Sequence, residues 1–75
     1  MVNTYKLKGR IIEKKQTIGA LANKMNLSPY TLGKQISNKS IMNVNVARAL
    51  AEELEIPNAE IGEYFFVNEI AEHNN

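Results

Sequence analysis

The residues of this chain able to do chemistry are hydrogen-bonding and cationic rather than catalytic. Cysteine is absent, so there is no thiolate nucleophile, thiolate ligand or disulfide. The one histidine, His73, stands in a terminal tail expected to fray. The glutamates have no neighbouring His or Cys to complete a metal set, and no glycine-rich loop could cradle a phosphate. No enzyme activity, cofactor, metal or small-molecule ligand is therefore expected. What remains is a concentration of donors in SPYTLGKQIS, residues 28–37. With Leu32 and Ile36 turned inward on a helix, a 100° step per residue sends Tyr30, Lys34 and Ser37 outward, with Thr31 and Gly33 on the flanks. Lys34 can donate to guanine O6 or N7, or to a phosphate. Tyr30 offers a ring and a hydroxyl, and Ser28 and Thr31 can meet a base edge or phosphate near the helix start. An ordinary solvated helix surface would carry the same residue types.

Two further pairs flank this segment. Gln16 and Thr17 open the preceding helix, whose N-terminal N–H groups and positive dipole end suit a phosphate. Thr17 can equally serve only as the cap of its own helix. Asn38 and Lys39 follow residues 28–37 and could clamp a nucleic-acid backbone or form a plain solvated loop.

Those side chains need two helices and a tight turn to present them. Ile18, Leu21, Ala22 and Met25 fall at i, i+3, i+4 and i+7, one buried helix face. Asn26 tolerates a left-handed backbone and so suits a helix stop. Ser28 can cap the next helix, and Pro29 fits its first turn, where the missing N–H would be unpaired anyway. The spacing predicts helices over residues 5–14 (capped by Thr4), 18–25, 29–37 and 44–54 (capped by Asn43), and a short one over 59–63. In the fourth, Ala47, Leu50, Ala51 and Leu54 repeat the buried pattern. Ile56-Pro57 ends it, because the residue before proline avoids the α region. Tyr64 to Val67 reads as an extended apolar run.

The stretch over residues 18–37 resembles the helix-turn-helix repressors of temperate phages, the Cro and repressor type, in Leu21-Ala22 followed by Met25-Asn26-Leu27. The resemblance implies that small Ala22 lets two helices approach closely and that Asn26 replaces a turn glycine. It also implies that Leu27 and Leu32 are core residues. That family often has an apolar residue where Gln35 stands; here Ile36 takes over. Some short phage and prophage regulators also end in a segment like Tyr64-Phe65-Phe66. The implied architecture is mainly α: a five-helix, lambda-repressor-like helix-turn-helix domain with a short extended C-terminal tail.

Seventy-five residues make one domain, with a core over about residues 4–67 and a tail over 68–75. No apolar run approaches the roughly 20 residues of a membrane span, and residues 1–8 lack the apolar core of a signal peptide. A cytoplasmic protein is expected. The formal net charge of +1 hides an asymmetry: residues 1–40 carry eight cations against Glu13 alone, and residues 41–75 carry Arg48 against seven glutamates. A polyanion would be drawn to the first half and repelled by the second.

The expected function is sequence-specific binding of double-stranded DNA by a transcriptional regulator, with residues 29–37 in the major groove. The alternative is a protein–protein module, an antirepressor or modulator on the same body. A domain this small reads only a few base pairs, so a homodimer is expected. Its seam is placed at Tyr64, Phe65, Phe66, Val67 and Ile70, although these aromatics could instead cover the core.

Overall fold

The computed structural model describes residues 1–67. It is mainly helical, with α1 over Thr4–Glu13, α2 over Ile18–Lys24, α3 over Pro29–Ile36, α4 over Val44–Glu53 and α5 over Ile61–Phe65. A 3₁₀ turn at Asn58–Glu60 leads into α5. Among the described residues there is no strand, and no helix is long and apolar enough to cross a membrane.

Side-chain oxygens start the first four helices. Asn3, Thr17, Ser28 and Asn43 accept from the amides of Lys6, Ala20, Thr31 and Asn45, each satisfying one of the orphan N–H groups of a first turn. The cap of α1 is thus Asn3 and not Thr4. Thr4 is freed for another bond: its hydroxyl donates to the Ile36 carbonyl at the end of α3, at 2.7 Å.

The same four helices also stop alike. Lys15, Asn26, Asn38 and Glu55 take φ of 57°, 57°, 64° and 54°. The residue after each sends its amide back to the fifth residue before it: Gln16 to Ile11, Leu27 to Ala22, Lys39 to Lys34, and Ile56 to Ala51. These are Schellman ends, built without glycine. In α2 this end makes the tight turn that the spacing required, with Asn26 in the left-handed position.

The core gathers one face from each helix. Leu7, Leu21, Leu32, Ile36, Leu50 and Leu54 are fully buried, joined by Ile11, Ala22, Ala47, Ala51, Ile56, Tyr64, Phe65 and Val2. Met25 and Leu27 pack against this cluster from the turn. The extended run predicted from Tyr64 onward is corrected: Tyr64 and Phe65 belong to α5 and are buried. Ile61, Tyr64 and Phe65 sit at i, i+3 and i+4, so one face of this short helix closes the core. Three hydrogen bonds then join the N-terminal arm to the last residues of α5 and just beyond: the Val67 amide to the Met1 carbonyl at 3.0 Å, the Met1 amine to the Val67 carbonyl at 3.3 Å, and the Asn3 amide to the Tyr64 carbonyl at 2.8 Å.

Arg10 fastens α1 to the end of α4. Its Nε donates to the Leu54 carbonyl at 2.9 Å and its Nη2 to the Glu55 carbonyl at 2.7 Å. The guanidinium fork thereby reaches two carbonyls at the end of the helix, where a cation also complements the dipole.

Candidate nucleic-acid interface

α2 and α3 pack directly against each other, joined by the turn at Asn26. Ala22 is fully buried at this contact side, with Leu21 and Leu32. The fold therefore turns Leu32 and Ile36 inward and leaves Tyr30 73% exposed. Lys34 lies one turn along, its Nζ 4.9 Å from the centroid of the Tyr30 ring. The cation is held against the ring face without a carboxylate to neutralise it. The hydroxyl of Ser28 caps α3 and also donates to the Thr31 hydroxyl at 2.9 Å. That leaves the Thr31 proton free to be donated outward. Thr17 likewise spends its oxygen on the Ala20 amide at 3.0 Å and keeps its proton. Gln16, half-buried beside it, makes no side-chain hydrogen bond among the described residues.

Lys39 is exposed just beyond α3. Asn38, paired with it as a nucleic-acid backbone clamp in the sequence reading, is bonded within the protein. Its Oδ1 accepts from the Val2 amide at 2.8 Å, its Nδ2 donates to the Val2 carbonyl at 2.8 Å, and Nδ2 also meets the Thr4 hydroxyl at 3.3 Å. With both ends of the amide engaged, Asn38 ties the N-terminal arm to the end of α3. Gly33 lies within α3. A Cβ added there would meet no atom within 4 Å, so the fold itself does not require glycine.

The sequence-level charge asymmetry is partly cancelled by folding. Three ion pairs stitch the basic half to the acidic half: Lys6–Glu63 at 3.5 Å, Lys14–Glu55, and Lys24–Glu53 at 3.2 Å. Arg10 pairs locally with Glu13. The Lys14 ammonium beside Glu55 holds that carboxyl below its usual range, chiefly through their hydrogen bond. Among the described residues, Lys8, Lys15, Lys34, Lys39 and Arg48 make no ion pair. Three of these five, Lys15, Lys34 and Lys39, lie on or beside the helix-turn-helix. Residues 14–51 hold six cations and no Asp or Glu at all.

The proposed seam residues are placed differently from expectation. Tyr64 and Phe65 are 6% and 4% exposed inside the protein's own core and are not available to a partner. Phe66 is 62% exposed and Val67 is half-buried; Ile70 and His73 lie outside the described residues. Spacing alone missed two features. One is the Tyr30–Lys34 stack, legible as an i, i+4 pair. The other is a cluster of exposed apolar side chains, Ile41, Val44 and Phe66, contributed by segments far apart in sequence. No group of His, Cys, Asp or Glu among the described residues could hold a metal.

Residues 1–69 match the model of a family described as a protein of unknown function, DUF739. No curated protein and no solved structure matches.

Proposed function

The chain belongs to DUF739, a phage-associated family of unknown function, and we propose that it is a sequence-specific DNA-binding transcriptional regulator of the Cro/repressor type. The observation that carries this reading is electrostatic. The helix-turn-helix sits in a stretch of residues 14–51 without a carboxylate, and Lys15, Lys34 and Lys39 remain unneutralised although other lysines are paired. Leaving such cations free costs nothing in water and gives a polyanion a surface to bind.

In this reading α3 enters the major groove of double-stranded DNA. Lys34 donates to guanine or phosphate, with Tyr30 beside it supplying ring contact and a hydroxyl. Thr31 and Ser28 approach at the N-terminal end of α3. Gln16 and Thr17 meet a phosphate with the first amides of α2, and Lys39 meets one beyond α3. These phosphate contacts fix the orientation of α3, and the Tyr30 and Lys34 contacts select sequence. The protein works as a homodimer, with half-sites about 10 base pairs apart so that both α3 helices meet one face of the duplex. It acts in the cytoplasm, where its DNA lies.

A mobility-shift titration over a salt series tests this. Affinity is expected to fall steeply with salt, each neutralised phosphate contributing a log–log slope of about −0.9. Triple substitution of Lys15, Lys34 and Lys39 by Ala should flatten that slope. Absence of DNA binding at low salt by the folded protein would overturn the proposal and leave the protein–protein module as the better account.

A further inference from the structure

The pairing surface in the reading above was left open once Tyr64 and Phe65 proved to be core. We infer that a second copy of this chain docks across α4, on the face bearing Val44, Arg48 and Glu52, with Phe66 and Ile41 at its margin. The inference rests on the homodimer of the proposed function and assigns its contact.

Three large apolar side chains stand in water here: Ile41 at 95% exposure, Phe66 at 62% and Val44 at 60%. They are close together. A hollow of about 390 Å³ is lined by Val44, Arg48, Glu52, Ile56, Ile61 and Phe66, among others. A second hollow of about 580 Å³ is lined by Ile41, Met42 and again Phe66. Phe66 is therefore a ridge between two depressions. A projecting ring and a hollow on one face can be exchanged across a two-fold axis, each ring entering the other copy's hollow, as an isologous interface demands.

Charge identifies the occupant. Arg48 and Glu52 are four residues apart, on one side of α4, and both line the first hollow. Neither makes an ion pair among the described residues. An Arg four residues before a Glu is the less favourable order on a helix, so the two gain little from each other. Two α4 helices crossing antiparallel would set Arg48 of each copy against Glu52 of the other, twice. The pattern is neutral overall and complementary to itself. DNA is disfavoured by Glu52 and by the apolar margin, and an acidic or basic protein would find only half of its charges matched.

Sedimentation equilibrium of the full chain without DNA tests the contact. Wild type is expected to dimerise. Arg48→Glu gives a face with two acids and Glu52→Arg a face with two bases, so each alone should self-associate at least tenfold more weakly. An equimolar mixture of the two variants should recover the dimer, since each copy then finds the opposite charge, and Arg48→Glu/Glu52→Arg in one chain should dimerise like wild type. Both side chains are exposed, so circular dichroism should show all four proteins equally folded. A monomeric wild type would overturn the inference, as it would if residues 68–75 of the same chain cover the face. Single variants that pair as wild type does, or a mixture that fails to pair, would overturn it too. Because no DNA is present, these results stand apart from those of the mobility shift.

Discussion

Asn38 separates a structural role from a DNA contact most sharply, because its position beyond α3 suggests the second and its bonds support the first. Replacing it by Gly removes two 2.8 Å hydrogen bonds to Val2 while keeping a residue at ease at φ 64°. At about 0.5–1.5 kcal/mol net per bond, the loss is about 1–3 kcal/mol. Replacing it by Ala removes the same bonds and adds the left-handed strain of a Cβ, roughly 1–2 kcal/mol more. A domain of this length is stable by only about 4–11 kcal/mol, so both changes are large. Urea unfolding followed by circular dichroism should rank wild type above Asn38→Gly and Asn38→Gly above Asn38→Ala. In the melting temperature, each kcal/mol should appear as about 4–8 °C. DNA affinity, measured where each variant is folded, should change little. Wild-type stability in both variants, with affinity reduced tenfold or more, would refute the structural tie to Val2 and return Asn38 to the DNA.

Three other outcomes are expected. Lys15→Gly should stabilise the protein by roughly 1 kcal/mol, because it relieves the left-handed Schellman position at φ 57° without breaking an ion pair; thermal denaturation checks this. Ala22→Leu should cost about 1–3 kcal/mol by overpacking a fully buried site between α2 and α3, and an unchanged melting temperature would show that the helices do not pack there. Glu55 should titrate below 4.5 by NMR, and Lys14→Met should return it toward that value. Since the folded pKa is the lower one, whatever stability this pair contributes is present above pH 4.5 and is lost as pH falls through the folded value.

The helices were legible where local physics decides them. The i, i+3, i+4, i+7 faces of α2 and α4, the caps at Thr17, Ser28 and Asn43, and the left-handed stop at Asn26 all depend on residues within a few positions. Asn3 and Thr4 are both capping types side by side, and only the distant Ile36 carbonyl, which claims Thr4, decides between them. Asn38 bonds a residue 36 positions away, a partner that spacing cannot reveal. The same holds for the lysines that pair across the two halves. Tyr64 and Phe65 were misread for a different reason: three consecutive aromatics look like a strand, and their helical register with Ile61 becomes decisive only once the core has an open side to close. Within the candidate site, the orientation of Tyr30 and Lys34 followed from Leu32 and Ile36, whereas which cations remain unpaired needed the fold.

Selection of bound duplexes from a random pool decides whether this protein reads DNA sequence. One sequence with two-fold symmetry and half-sites about 10 base pairs apart should be enriched. With Lys34→Ala or Tyr30→Ala, discrimination at one position in each half-site should weaken by about 1–3 kcal/mol. A folded protein that enriches no sequence, or whose selected sequence is indifferent to both substitutions, would contradict sequence-specific binding through α3.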